Sequence, residues 1–273
     1  MTRTTNSLSL GLSTCIVRPN KFDPATHLPA FAAAGFEWIE LNCFLGSDDF
    51  SWDRPAQVAE LACIAADVGI GVYSVHAEGG IGGYRGRRSE QLAVDVLKCF
   101  ADLAAELGAR VVPFHAGLDA TQDRDRAECE LRSSLDMLSH HAAGLPCRFG
   151  WENEPIGLST TEHLTWIRDL DPETFCFVLD NGHSHIADTT NAYREACGDL
   201  LGSLHLNDND GARDGHVMPG AGTFDWNGFM PWLASTVYEG PLMLETEARD
   251  QQDDLPAVLS ETFTAVEHHI LRR

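Results

Sequence analysis

The sequence predicts an α/β fold, a single (β/α)8 TIM barrel, on three observations. Short apolar runs bounded by Gly or Pro alternate throughout with stretches whose apolar residues recur every three or four positions. The alternation counts to eight strand–helix units, with no low-complexity linker or composition break between them. Several helical stretches stop on a glycine directly before the next strand, at Gly35, Gly69 and Gly108. Glycine ends helices this way because it adopts the left-handed conformation without a Cβ clash. An open doubly wound sheet is the competing arrangement, but no GxGxxG follows the first strand. Residues 1–273 are expected to form one domain.

The units follow in order. LSLGLSTCIV (8–17) reads as a strand and 23–35 as its helix; FEWIELNC (36–43) pairs with the helix 54–69. GVYSVHA (71–77) is followed by 89–108, and RVVPFHAG (110–117) by 121–145. The fifth unit is CRFGWENEP (147–155) with 160–170, and the sixth FCFVLDNGHSH (175–185) with 190–200. LGSLHLN (201–207) leads through a long loop to 225–238, where Asp225 is placed to cap the helix. GPLMLETEA (240–248) and 253–273 complete the eighth.

Composition narrows the function. The chain carries 19 Lys and Arg against 41 Asp and Glu, a formal charge of −22. Nucleic-acid affinity comes largely from Lys and Arg displacing counterions, so a polynucleotide partner is disfavoured. No apolar run is long enough to span a membrane, and the N-terminal residues lack the apolar stretch of a signal peptide. A cytoplasmic protein is expected, with its eight cysteines, which form no CxxC pair, as buried free thiols. No motif encodes the oligomeric state, and a homo-oligomer stays open.

In a TIM barrel the C-terminal strand ends share one rim, and chemistry collects there. The third strand ends in His76, the fourth in His115 and the fifth in Glu152. The sixth ends in Asp180, with His183 three residues on. The seventh ends in His205, its loop adds Asp214 and His216, and the eighth ends in Glu245. Any one of these is an ordinary core histidine, turn aspartate or paired glutamate. Together they would repel and protonate at one barrel mouth unless a cation compensated them, so a metal site is expected. Glu40, Asn42, Glu154 and Asn207 are candidates to bind substrate, whereas Trp151 and Trp226 are expected in packing roles. His140, His141, His163, His185, His268 and His269 are expected on outer surfaces or helices, away from any metal.

The segments WENEP, LDNGHSH and LHLNDND…DGHVMPGAG, in this order and spacing, resemble the xylose isomerase-like TIM-barrel superfamily. It holds divalent-metal sugar isomerases and epimerases, a dehydratase of an inositol derivative, and the apurinic-site nuclease endonuclease IV. The resemblance implies that Glu152, Asp180, His205 and Glu245 ligate a metal. It also implies that Glu152 and Glu245 act as the acid/base pair and that His183 touches substrate. Adding His76, His115, His183, Asp214 and His216 matches the multinuclear zinc set of endonuclease IV. The leading expectation is isomerisation or epimerisation of a small sugar or polyol-derived ketone through an enediolate. Mn²⁺, Mg²⁺ or Co²⁺ suits the four-ligand site, and Zn²⁺ the larger set. A dehydratase and a zinc phosphodiesterase are the alternatives.

Overall fold

Eight parallel strands close into a ring when every helical crossover returns the chain to the same end, and the strand pairings here do so. A computed structural model describes residues 9–18, 20–43, 51, 53–83, 89–118, 123–155, 157–248 and 254–271. Its strands are β1 (Leu10–Ser13), β2 (Trp38–Cys43), β3 (Gly71–Ala77), β4 (Gly80–Ile81) and β5 (Val111–Ala116). They continue with β6 (Arg148–Glu152), β7 (Phe175–Asp180), β8 (Leu201–His205) and β9 (Leu242–Leu244). The helices are α1 (Pro24–Ala33), α2 (Pro55–Val68), α3 (Glu90–Glu106), α4 (Arg124–Ala142) and α5 (Thr160–Asp169). After these come α6 (Asn181–Ile186), α7 (Thr190–Ala196), α8 (Trp226–Leu233) and α9 (Leu255–Ala265).

The sheet runs β8-β7-β6-β5-β3-β2-β1-β9, with β4 set aside against β5. A parallel bridge between Leu206 and Leu244 joins the two ends. There the Leu206 N–H donates to the Met243 carbonyl at 2.8 Å and the Glu245 N–H to the Leu206 carbonyl at 2.9 Å. The fold is the (β/α)8 barrel the alternation predicts, not an open sheet.

Element boundaries differ from expectation where side chains cap the backbone. The strand expected over 175–185 stops at Asp180, whose carboxylate accepts the His183 N–H at 2.7 Å and starts α6. The first strand breaks at Ser13, which caps a 3₁₀ turn over Thr14–Val17. The fifth predicted strand ends at Glu152 rather than at residue 155, and the eighth spans only Leu242–Leu244. Asp225 caps α8 as expected, accepting the Gly228 N–H at 3.0 Å.

The core has two parts. One lies between sheet and helices and includes Phe31, Phe100, Phe114, Trp151 and Phe229, all fully buried. Each such side chain contributes about 1.5–3 kcal/mol by leaving water. The other fills the lower barrel with Tyr73, Val111, Cys176, Val178 and Met243. Inward-facing glycines make room for it: a Cβ on Gly150 would fall 2.5 Å from Val178, and one on Gly202 would fall 2.2 Å from the Cys176 sulfur. The buried acids and most of the buried histidines gather above it, at the upper rim.

All seven described cysteines are free thiols, but Cys63, Cys99 and Cys129 are exposed, so only four of them are buried as expected. Cys43 has no described side chain. Among the described residues no helix is long and apolar enough to cross a membrane.

Candidate active site

Four strand ends bring Glu152, Asp180, His205 and Glu245 together. One donor atom from each lies within 4.8 Å of all the others, and all four side chains are buried. A register shift between Phe177 and Val178 sets Asp180 directly opposite His205 across the β7–β8 pair. Two asparagines extend the strand pairing beyond the strands themselves. Asn153 accepts the Asp180 N–H at 2.8 Å and donates to the Asp180 carbonyl at 2.9 Å. Asn181 repeats the pattern on Asn207, accepting its N–H at 2.9 Å and donating to its carbonyl at 2.8 Å. These amides satisfy buried backbone groups and hold the rim rigid.

His205 is oriented from behind. Its Nε2 lies 3.0 Å from a carboxylate oxygen of Glu40, and the Ser74 hydroxyl donates to that same oxygen at 2.8 Å. Glu40 is completely buried, so it does not face a substrate as the sequence reading expects. It points inward by the ordinary alternation of β2, with Ile39 and Leu41 packed in the outer core, and the register shift after Ile39 sets it opposite Ser74. His205 Nδ1 then points into the site, 3.2 Å from Glu152 Oε2 and 3.4 Å from Glu245 Oε2. Neither Nδ1 nor Glu152 Oε2 has a hydrogen-bond partner, although both are buried.

The electrostatics follow from this crowding. Burial alone would lower the His205 pKa, but Glu40, Glu152 and Glu245 together hold it well above the usual imidazole value. Burial would raise Glu152, yet His205, His115 and His183 pull it well below the usual carboxylate range. For Asp180, burial outweighs the His183 charge, and with Glu152, Glu245 and Asp214 it pushes the pKa up to about 7.

The additional residues surround this centre. His76 Nε2 and His115 Nε2 each lie 3.2 Å from Glu152 Oε2, and His76 stacks on His205 with ring centres 5.2 Å apart. His183 Nδ1 lies 2.9 Å from the Asn153 carbonyl, which turns its Nε2 toward Asp214, 3.4 Å away. Asp214 also contacts His216 Nε2 at 3.1 Å, and His216 Nδ1 meets the Glu245 backbone carbonyl at 2.9 Å. His216 adopts φ +43°, a conformation few non-glycine residues hold, so the loop is pinned at this point. Burial opposes protonation of His216, but Asp214 and Glu245 raise its pKa to about 10.

The candidate substrate residues divide. Asn42 is half-buried and donates to Glu245 Oε1 at 3.3 Å. Glu154 lies past the end of β6 but still reaches His115 Nε2 at 3.2 Å. Asn207 is fully buried; its amide donates to both Asp180 oxygens, at 3.3 and 3.4 Å, so it positions a carboxylate rather than facing outward. Trp151 and Trp226 are buried packing residues, as expected. His163 lies on a helix, α5, as expected, where it is buried against Trp151.

Several rim residues escaped the sequence reading. Arg18 donates to Asn42 Oδ1 at 2.8 Å and lies 3.5 Å from Glu247, adding a cation at the mouth. Asp208 accepts from Gly220 N, Phe224 N and Trp226 Nε1 at 2.8–3.1 Å, which ties down the long loop after β8. The run of Asn and Asp over 207–210 was a signal for such a loop, but the donors that Asp208 gathers are up to 18 residues away.

Two glutamates, an aspartate and one imidazole, with two buried donor atoms lacking partners, form a donor set that fits a divalent cation. Two overlapping triads, His76–His115–Glu152 and His76–His205–Glu245, bring their donor atoms equally close.

Residues 28–264 match the family described as xylose isomerase-like TIM barrel. The chain is 29% identical over 245 residues to the uncharacterized protein y4fM of Sinorhizobium fredii, a match covering 78% of each. It is 28% identical over 230 residues to 3-dehydroshikimate dehydratase of Pseudomonas putida; the match spans 80% of this chain but 35% of that longer one. In structure it superposes on a D-tagatose 3-epimerase-like protein with TM-score 0.75 at 19% identity, covering 96% of this chain and 98% of the other. The strand order, the closure of the ring and a match over most of the sequence agree: this chain belongs to the xylose isomerase-like TIM barrel family.

Proposed function

We propose that the protein is a divalent-metal-dependent isomerase or epimerase of a small sugar or polyol-derived ketone. The convergence of Glu152, Asp180, His205 and Glu245 on one point carries this reading. The fold shared with a D-tagatose 3-epimerase-like protein supports it. When bound, a divalent cation polarises the substrate's carbonyl and neighbouring hydroxyl and so acidifies the C–H beside them. Mn²⁺, Mg²⁺ or Co²⁺ suits the four residues; Zn²⁺ suits them better if His76, His115, His183, Asp214 and His216 take part.

The chain's own residues then move the proton. Glu152 and Glu245 flank His205 Nδ1 at 3.2 and 3.4 Å, so two carboxylates approach one substrate position. One removes the proton and the other returns it, to the adjacent carbon or to the opposite face. His183, its ring fixed by the Asn153 carbonyl, presents Nε2 to a substrate hydroxyl. Asn42 and Glu154 line the approach, while Glu40 and Asn207 hold His205 and Asp180 from behind.

Glu152→Gln tests the assignment. Exchange of substrate C–H hydrogen with D₂O, followed by NMR over a panel of ketoses, is expected to fall at least about 10²-fold while the circular dichroism stays unchanged. Full exchange in that variant, or a wild-type protein that binds no divalent ion, overturns the reading. The dehydratase relative favours one second reading, in which the same proton removal is followed by loss of water. A product lighter by one water in the mass spectrum selects it. An endonuclease IV-like phosphodiesterase requires about three metal ions per chain and nicking of abasic-site DNA, against the −22 charge.

A further inference from the structure

We infer that Glu40 is a positioning residue for His205, an anionic acceptor sealed from substrate that decides which imidazole nitrogen faces the cation. The inference rests on the metal-dependent reading above and extends it to a residue behind the site. Glu40 has no exposed surface, so it cannot reach a substrate from where it lies. A carboxylate in that position carries a large desolvation penalty unless something compensates it. Its Oε2 lies 3.0 Å from His205 Nε2 and accepts the Ser74 hydroxyl at 2.8 Å.

A carboxylate only accepts, so Nε2 is the protonated nitrogen of the pair. Nδ1 is the nitrogen left to face the site, between Glu152 and Glu245 and without a hydrogen-bond partner, and it would give up any proton there to ligate a bound cation. The β2–β3 bulge supplies the remaining evidence. The extra β3 residue, Tyr73, brings Ser74 opposite Glu40, where its hydroxyl holds the same carboxylate oxygen that meets His205. The carboxylate, the histidine and the open nitrogen therefore form one line from the barrel wall to the candidate metal position. Such a carboxylate raises the basicity of a ligating imidazole and locks its ring.

Zn²⁺ binding to the apo-protein, measured by isothermal titration calorimetry, tests this directly. Glu40→Ala is expected to weaken affinity about 10–100-fold. Glu40→Gln, which keeps an oxygen acceptor but not the charge, falls between Ala and wild type. Ser74→Ala, which leaves Glu40 in place, costs only a few-fold. Long-range ¹H–¹⁵N NMR on the Zn²⁺-loaded protein gives a second readout: His205 protonated at Nε2 in wild type, and a mixed or broadened pattern in Glu40→Ala.

Unchanged Zn²⁺ affinity and an unchanged imidazole pattern in Glu40→Gln and Glu40→Ala overturn the inference, even if both variants melt earlier. Should Glu40→Ala not fold, Glu40→Gln and Ser74→Ala carry the test. A wild-type protein that takes up no Zn²⁺ is a separate result: it overturns the metal reading, and this inference with it.

Discussion

Trp151 and Glu152 are neighbours on β6, yet they face different regions of the molecule. Glu152 points into the barrel, where His76, His115 and His205 lie 3.2 Å from it and His183 3.3 Å. Trp151 points outward and packs on His163, ring centres 4.9 Å apart, with Phe114 and Trp166 beyond. Each region encloses a buried histidine. Among carboxylates, His205 is held well above the usual imidazole pKa. Against aromatic rings, with the Tyr193 hydroxyl 3.2 Å from Nδ1, burial pushes His163 down to about 3, and the Glu152 charge only partly opposes it. A buried imidazole is therefore no mark of a site by itself. What distinguishes the inner region is a shell of acids arranged around it.

Removing each histidine in turn gives the largest expected difference. His205→Ala strips the counter-charge from Glu40, Glu152 and Glu245, all buried, and is expected to destabilise the apo-protein by about 3–5 kcal/mol near neutral pH. It also removes a candidate ligand, so divalent-ion binding falls with it. His163→Phe keeps the aromatic packing; it gives up the Nδ1 contact with the Tyr193 hydroxyl but also removes Nε2, which is buried without a hydrogen-bond partner. Its expected cost is under about 1.5 kcal/mol, with metal affinity unchanged. Urea titrations of both variants check the contrast. Equal costs would mean that the acids around His205 are not what separates the two regions.

The same comparison has a pH signature of intermediate size. His163 stays neutral when folded, whereas in the unfolded chain it takes up a proton below about 6.5. The unfolded state therefore binds more protons in that range, and its stability contribution is complete above pH 6.5 and drains away as pH falls toward 3. The slope from this residue is about 1.4 kcal/mol per pH unit. Denaturation of wild type and His163→Phe at pH 7, 6 and 5 isolates it, because other groups titrate in both proteins. A wild-type advantage that does not shrink relative to His163→Phe on acidification would show that His163 is charged inside the fold.

The legibility of the two regions in the sequence differs for the same physical reason. Periodicity and glycine stops expose the eight units, and parallel closure alone sends every strand's C-terminal residue to one rim. His76, His115, Glu152, Asp180 and His205 could thus be grouped before any coordinate was known. The alternation in WIELNC turns Glu40 inward, but its role as an acceptor could not be read, because Ser74 and His205 lie 34 and 165 residues away. Asn153 and Asn181 draw no role from the sequence, since their hydrogen bonds run to backbone groups 26 or 27 residues away. His163 falls on a helix as the sequence suggests, but its burial is not legible, because helix periodicity does not reveal which aromatic rings close over a polar residue.

The smallest expected effect concerns two aspartates that make the same local bond. Asp180 caps α6 by accepting the His183 N–H at 2.7 Å, and Asp225 caps α8 by accepting the Gly228 N–H at 3.0 Å. Capping alone accounts for about 1 kcal/mol, and Asp225→Ala is expected to cost about that much, with no change in divalent-ion affinity. Asp180→Asn keeps a capping oxygen while removing a charge that sits beside Glu152 and Glu245. Because burial and those neighbours already raise the Asp180 pKa to about 7, losing the charge relieves the apo-protein and weakens only the cation's hold. Calorimetry with Mn²⁺ and a thermal melt on each variant read the two effects separately. If Asp225→Ala weakened Mn²⁺ binding as much as Asp180→Asn, the cation would not be held at the rim, and the acids gathered there would need a different explanation.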